Sequence, residues 1–317
     1  MTVEDDTLNT RPMRQSRAVV TGITGHVGRE LARQLVEAGV DVHGLTRQAP
    51  AAVPSFPGPM SLHRVDHRTE TFVQVLQEVR PHTVIHLAAF ARRDHHITDV
   101  VTLVEANILF GAQLLEATRQ SGCRRFITTG SILQYSDAGE YRPFNLYAAT
   151  KQSFVDLLLY YTQAFEFSAI TLTLPTIYSE YESAPKLMTD IASAWENGTS
   201  LTLQGDGVPI DFVHVEDVAS AILEASALLE SRPARNEGSL SRYCVTSGRD
   251  ITPSELVTLF ERIGERKIIV RKEVAQNKSR RTRPWHGPVV PGWVPRIDLD
   301  TGIKRILLEK TARRRRT

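Results

Sequence analysis

Arg17-Ala18-Val19-Val20-Thr21-Gly22-Ile23-Thr24-Gly25-His26-Val27-Gly28 is the stretch on which the fold turns. Its first five residues form a short apolar run that ends at a glycine, the pattern of a strand buried on both faces. Val27, Leu31, Leu35 and Val36 then recur at helical spacing as far as Gly39, a residue suited to a helix C-terminus. Between strand and helix, three glycines make a tight turn. Glycine there permits positive φ, lets the backbone approach a pyrophosphate and lets the helix pack on the strand. The helix N-terminus adds unpaired N–H groups and a dipole that favours phosphate. Gly22, Thr24, Gly25, His26, Val27 and Gly28 are therefore candidate contacts of a dinucleotide.

Outward from this unit the alternation continues. Residues 40–46, 62–65, 83–87, 125–129 and 169–174 read as strands, and residues 72–79, 100–120 and 147–165 as helices. Four prolines between residues 49 and 59 keep that connection out of a helix. This order predicts repeated βαβ units: an α/β chain with a Rossmann-type, doubly wound parallel sheet. Beyond Tyr178 the rhythm loosens. Helices over 186–196, 215–229, 253–263 and 300–309, with short strands near 201–203, 211–213, 243–245 and 267–270, predict a smaller interleaved C-terminal lobe that binds substrate. The expected division is a flexible tail over 1–16, a dinucleotide-binding Rossmann domain over 17–178 to which 211–230 return, a second lobe over 179–210 and 231–310, and a disordered basic tail over 311–317.

Composition narrows the class. The 317 residues are 41% hydrophobic with a formal net charge of +2, which excludes disorder over most of the chain. Removing Arg313–Arg316 leaves 34 basic against 36 acidic residues, a net −2, so a nucleic-acid reading rests on the last residues alone. A disordered solubilising end is the plainer expectation for them. Cys123 and Cys244 fit a reducing compartment, residues 1–16 lack the apolar core of a signal peptide, and no apolar run reaches the roughly 18 residues of a membrane span. A cytoplasmic enzyme with no nucleic-acid or membrane partner is expected. No cluster of His, Cys or acidic residues at zinc spacing stands out, so no metal site is expected.

The glycines are spaced Gly-x-x-Gly-x-x-Gly, and Tyr147-Ala148-Ala149-Thr150-Lys151 follows the fifth strand. With His86-Leu87-Ala88-Ala89, Asn107, Leu114-Leu115-Glu116-Ala117, Ser131 to Tyr135 and Asp211 to Ala219, this resembles the extended short-chain dehydrogenase/reductase family, the nucleotide-sugar epimerase, dehydratase and reductase group. The resemblance runs from about residue 17 to residue 309. It implies a nicotinamide cofactor, a nucleotide-diphosphate sugar substrate, and cofactor contacts from Leu87, Ala88, Ala89 and Pro175. It also implies a homodimer through the helices over 99–120 and 147–165, whose apolar faces carry Leu103, Leu114, Leu157 and Leu158.

An acidic residue at the end of the second strand would accept from the ribose 2′-OH of NAD. That strand ends Gly44-Leu45-Thr46-Arg47, and Asp41 lies at its start. The Arg47 guanidinium suits a 2′-phosphate, so NADP(H) is the expected cofactor. Val42 to Arg47 is also similar to the matching stretch of GDP-mannose 4,6-dehydratases, which again implies NADP. Asp66 and His67 are expected to face the adenine, or else to cap the next helix.

Tyr147 and Lys151 are four residues apart, on one side of a helix. The ammonium, together with the positive ring of the oxidised cofactor, is expected to draw the phenol's pKa down, and Lys151 also to hold the nicotinamide ribose. Ser131 lies at the carboxyl edge of the sheet, where the resemblance implies that it hydrogen-bonds the reacting oxygen; Thr129 is a weaker substitute. Sugar 4,6-dehydratases carry an acidic pair after that position, whereas here Ser131 is followed by Ile132 and Leu133. Dehydration is therefore not expected, with Asp137 and Glu140 the remaining acids nearby.

Ketone reduction is expected instead: an NADPH-dependent 4-ketoreductase of a nucleotide-linked 4-keto-6-deoxyhexose, with Tyr147 as general acid. A 4-epimerase with tightly bound NAD and a non-catalytic NADP redox sensor are the alternatives. Ser131, Ile132, Thr176, Lys186 and Arg283 are the candidate substrate contacts, the last two for the diphosphate. Thr176, Ser179 and Ile210 stand where the family often has asparagine, glycine and arginine. His214 reads as a packed structural histidine, and His95 and His96 as part of a loop overhanging the site.

Overall fold

Strands apolar on both sides must be covered on both sides, and the arrangement follows from that. β1 (Arg17–Thr21) is buried at four of its five positions and pairs in parallel with β2 (Asp41–Thr46) and β4 (Thr83–His86). With β3 (Ser61–Arg64), β5 (Arg125–Ser131), β6 (Ser168–Leu174) and β10 (Ser239–Cys244) they form a seven-stranded sheet in the order β10-β6-β5-β4-β1-β2-β3. Every pairing in it is parallel. The order reverses between β1 and β4, which opens a crevice at the carboxyl ends of the strands. The computed structural model describes residues 16–49, 56, 58–182, 186–204, 207–232, 238–273 and 283–314.

One face of the sheet is covered by α1 (His26–Glu37) and α7 (Val215–Ser231), whose Leu31, Leu35, Val218 and Ile222 meet Val20, Ile85 and Ile127. The other is covered by α2 (Thr69–Val79), α4 (Phe110–Gln120) and α5 (Leu146–Phe165), with Phe72, Leu114, Phe154 and Leu158 against Val19 and Phe126. A third core lies beyond the sheet. It gathers α6 (Leu187–Asn197), α8 (Pro253–Gly264) and α9 (Leu299–Arg314) around Ile191, Phe260 and Ile303. Two small sheets edge it: β7 (Thr176–Tyr178) with β9 (Ile210–His214) and β11 (Asp250–Ile251), and β8 (Leu201–Gln204) with β12 (Val270–Glu273). Buried Asp217 of α7 accepts the N–H groups of Arg296 and Ile297 (both 2.9 Å), fixing the approach to α9.

The sequence reading differs from this architecture in four places. β10 falls within 231–310, expected in the lobe, yet extends the main sheet; its first residues alternate too little to announce a strand. The last helix runs on to Arg314, so residues 311–314, expected to be disordered, continue α9. The helix over 100–120 is not uniform: α3 (Asp99–Val104) passes through a π-helical turn (Glu105–Leu109) before α4. Finally, Leu103, Leu114 and Leu158 belong to the monomer's own core, and the large exposed apolar side chains of these helices are Val100, Val101, Val104, Leu109, Leu159 and Tyr160.

By length and composition Asp99–Gln120 could cross a membrane, but its Leu114, Leu115 and Ala117 pack beneath the sheet. Residues 1–15 of the expected tail over 1–16 and residues 315–317 of the expected basic tail lie outside the described residues.

Candidate active site

The glycine turn is built as its spacing requires. Gly22 sits at φ +69°, and a Cβ there would lie 2.6 Å from the Ala88 nitrogen. A Cβ on Gly28 would lie 2.2 Å from the Gly22 carbonyl oxygen. No side chain fits either place, so strand β4 and the start of α1 approach with bare backbone between them. This cradle, closed by the Gly25 N–H donating to Gly22 O (2.9 Å), fits a dinucleotide pyrophosphate.

Beside the turn, Val27, Leu87, Ala89, Thr129, Gly130, Ser131, Tyr147 and Pro175 line a cavity of about 170 Å³. Several interactions fix its walls. The Thr21 hydroxyl accepts the Ala88 N–H (3.2 Å) and shares a hydrogen bond with His86 Nδ1 (2.7 Å), holding the end of β4. Burial, with the Lys151 ammonium nearby, pushes the His86 pKa down to about 3. The π turn brings buried Asn107 round so that its side chain grips Phe90 at both N–H (2.7 Å) and C=O (3.0 Å) and donates to Thr150 (2.9 Å) on α5. At the head of α5, the Asn145 carbonyl accepts the Ala148 N–H (2.9 Å) as N-cap, while its amide donates to the Arg93 carbonyl (2.9 Å). Tyr147 and Lys151 are thus held in the first turns of a capped helix.

Their ionisation departs from expectation. Lys151 was expected to lower the Tyr147 pKa; among the protein's own groups burial prevails, raising the phenol to about 12 and lowering the Lys151 ammonium to about 8. Removing either charge from water costs more than the pair recovers here. Tyr147 is therefore a protonated phenol at neutral pH.

Ser131 is held by a residue the sequence reading passed over. Its N–H donates to Gln134 Oε1 (2.7 Å), and Gln134 Nε2 donates to Gln152 Oε1 (3.0 Å) on α5. The signal was present: Ser131-Ile132-Leu133-Gln134 has the Ser-x-x-Gln spacing of a capping box, and the short helical turn after Ser131 is closed by one.

On the lobe side, Ile132, Pro175, Thr176 and Arg283 line a second cavity of about 230 Å³ with Leu133, Arg142, Ile210 and Asp211. Arg142 escaped notice because a lone arginine in a loop carries no pattern. Asp211 is the one carboxylate among the described lining residues, and its Oδ1 accepts from the Ser247 N–H (3.1 Å) and hydroxyl (2.5 Å). Asp137 and Glu140 are exposed and do not line it. Lys186 lines an adjoining cavity of about 290 Å³ that shares Thr176 and Ile210 with the second and Ile177 with the first.

Other candidates fall outside the walls. Arg47 is exposed at the end of β2. Asp41 sits at that strand's start beside His43 Nε2 (3.2 Å), so no carboxylate stands at its end. Asp66 accepts the Arg68 N–H (2.9 Å) and the Thr71 hydroxyl (2.8 Å) just before and within the first turn of α2, which hold its carboxyl at about 2. The His67 carbonyl accepts from Gln113 (2.6 Å). His95 and His96 are exposed in the loop before α3. His214 is buried, donating to Glu180 (2.9 Å) and accepting the Glu216 N–H (3.3 Å). These three bring ligand-type atoms within 4.8 Å, but Arg305 already occupies Glu216 (2.8 Å).

Comparison with known proteins agrees with this architecture. Residues 18–236 match the family model for the NAD dependent epimerase/dehydratase family. The chain is 22% identical to a probable UDP-glucuronate 4-epimerase of Rhizobium meliloti, over 92% of this chain and 96% of that one. It is 23% identical to the CDP-abequose synthase of Salmonella typhimurium, over 91% and 96%. The crystal structure of the Thermus thermophilus UDP-glucose 4-epimerase, a complex with NAD, superposes with a TM-score of 0.77 at 23% identity, covering 93% of this chain and 99% of that one.

Proposed function

Because this chain belongs to the NAD dependent epimerase/dehydratase family, we propose that it is an NAD(P)-dependent oxidoreductase of a nucleotide-linked sugar, and that its net reaction is the reduction of a 4-keto-6-deoxyhexose by NADPH. The observation that carries the choice of reduction is the end of β2, where Arg47 stands exposed and no carboxylate is available for a ribose 2′-OH. Ile132 and Leu133, which line the substrate cavity, can neither remove nor deliver a proton, so the site is poorly equipped to eliminate water. An apolar wall there also suits a methyl group at C6.

The dinucleotide, when bound, supplies a hydride. The chain's own groups manage the oxygen that becomes an alkoxide. Ser131 donates a hydrogen bond to it, and Tyr147, kept protonated by burial, delivers its proton. Lys151 then stabilises the phenolate left behind, a charge that did not exist in the resting site. Arg142 and Arg283 offer two cations to the diphosphate from the cavity wall, with Lys186 at the adjoining one. Two copies are expected to associate through the exposed Val101, Val104, Leu109, Leu159 and Tyr160.

Epimerisation at the same carbon is the second reading, favoured by the names of the relatives. It would use Tyr147 as a base before using it as an acid. The deciding experiment incubates the protein with NADPH and a panel of nucleotide-linked 4-keto-6-deoxy sugars, then assigns C4 of the product by NMR. Reduction consumes NADPH stoichiometrically and is abolished by Tyr147→Phe with cofactor binding intact. Interconversion of C4 epimers without net cofactor consumption would replace reduction by epimerisation, and cofactor binding with neither activity would leave a redox sensor.

A further inference from the structure

His26 opens α1 directly on the glycine turn, and its ring reaches out of the cofactor domain to the segment that follows β7. Glu182 Oε2 lies 3.1 Å from Nδ1, and the Ser179 hydroxyl 2.7 Å from Nε2. A carboxylate can only accept, so Nδ1 carries a proton, while Nε2 shares a hydrogen bond with the Ser179 hydroxyl, whose oxygen also accepts the Tyr181 N–H (3.3 Å). The same Glu182 oxygen accepts from Lys186 Nζ (2.6 Å), at the N-cap of α6. The Glu182 side chain is only 10% exposed, while that of Lys186 is 42% exposed. Burial alone would raise the Glu182 carboxyl, yet His26 and Lys186 hold it at about 2. One shielded carboxylate oxygen thus joins the phosphate-binding turn to the lysine that lines the lobe cavity.

We infer that Glu182 is a positioning residue that couples the two ligand sites: through His26 it senses the glycine turn, and through Lys186 it sets the cation that meets the substrate's diphosphate. Pyrophosphate settling on residues 22–28 fixes the first turn of α1, hence the imidazole, hence the carboxylate and the lysine. Coupling of this kind is reciprocal, so a nucleoside diphosphate in the lobe must tighten dinucleotide binding by the same factor. The inference rests on the nucleotide-sugar reading given above, since Lys186 needs a diphosphate to meet.

Calorimetric titration of the full chain with UDP, CDP, GDP and dTDP, each with and without saturating NADP⁺, tests it. In the wild type the tightest of the four is expected to bind at least about fivefold tighter when NADP⁺ is present. Glu182→Gln and His26→Phe should each bring that ratio close to one, and the double variant should lower it no further. In turnover, Glu182→Gln should raise KM for the nucleotide sugar several-fold and leave kcat within about twofold. A ratio unchanged in both single variants, or a ratio of one in the wild type, overturns the coupling while leaving the functional reading intact. Failure of all four diphosphates to bind the wild type overturns that reading, and the inference with it. Should either variant fail to fold, the other decides.

Discussion

At the scale of single residues, the site is ruled by desolvation. Burial pushes Tyr147 up to about 12 and Lys151 down to about 8, so the phenol is neutral at neutral pH while the lysine still carries most of its charge. That outcome was not legible from a Tyr-x-x-x-Lys spacing, which fixes that two groups share a helix face but not how much water surrounds them. Residue identities were more legible at the edges: Arg47 ends β2, as its place in the sequence required, and stays exposed. Arg47→Asp should weaken NADP⁺ binding by about 10- to 100-fold, the loss of one or two charge-assisted hydrogen bonds, while NAD⁺ binding gains. Fluorescence titration with both dinucleotides measures it; a wild type that binds both equally would remove Arg47 from the cofactor site.

At the scale of elements, the six strands from β1 to β6 and their helices were legible because apolar runs of strand length and apolar residues at helical spacing are local signals, repeated along the chain. Of β10 only the last residues were legible as a strand, and its place in the sheet was not, since only its pairing with β6 makes it part of the sheet. The π turn left no signal either: one extra residue in a helical turn does not alter an apolar pattern enough to be seen. β4 provides a test of how tightly this layer is sealed. His86 binds a proton at about 3 when folded and near 6.5 when unfolded, so between those values the unfolded chain holds the extra proton. Stability must therefore fall as pH falls through that window, by about 1.4 kcal/mol per pH unit from this residue. Urea titrations between pH 6.5 and 4.5 should show this slope in the wild type, and a shallower one in His86→Asn, which keeps a partner for Thr21. Equal slopes would mean that water reaches the imidazole.

At the scale of the whole molecule, one return to the sheet, that of residues 211–230, was expected, and a second, that of β10, was not. α7 and β10 both return to the sheet, and Asp217 of α7 clasps the residues that lead into the last helix. Long-range returns of this kind depend on contacts that no short window of sequence contains. The same holds for the outer surface. The leucines expected on the outward face of the two long helices are in the core, and the face they leave is marked by Val101, Leu109, Leu159 and Tyr160. Sedimentation velocity should give a dimer for the wild type and a monomer for Leu159→Glu combined with Val101→Glu, with the thermal midpoint little changed; a monomeric wild type would dismiss that interface. The lobe core has a further consequence, one of timing. The sheet is complete once Cys244 has been synthesised, whereas the lobe core needs Ile303, Ile306 and Leu307. A chain emerging from the ribosome can therefore finish its seven-stranded sheet some sixty residues (about three to twelve seconds of synthesis) before the core of the lobe can close.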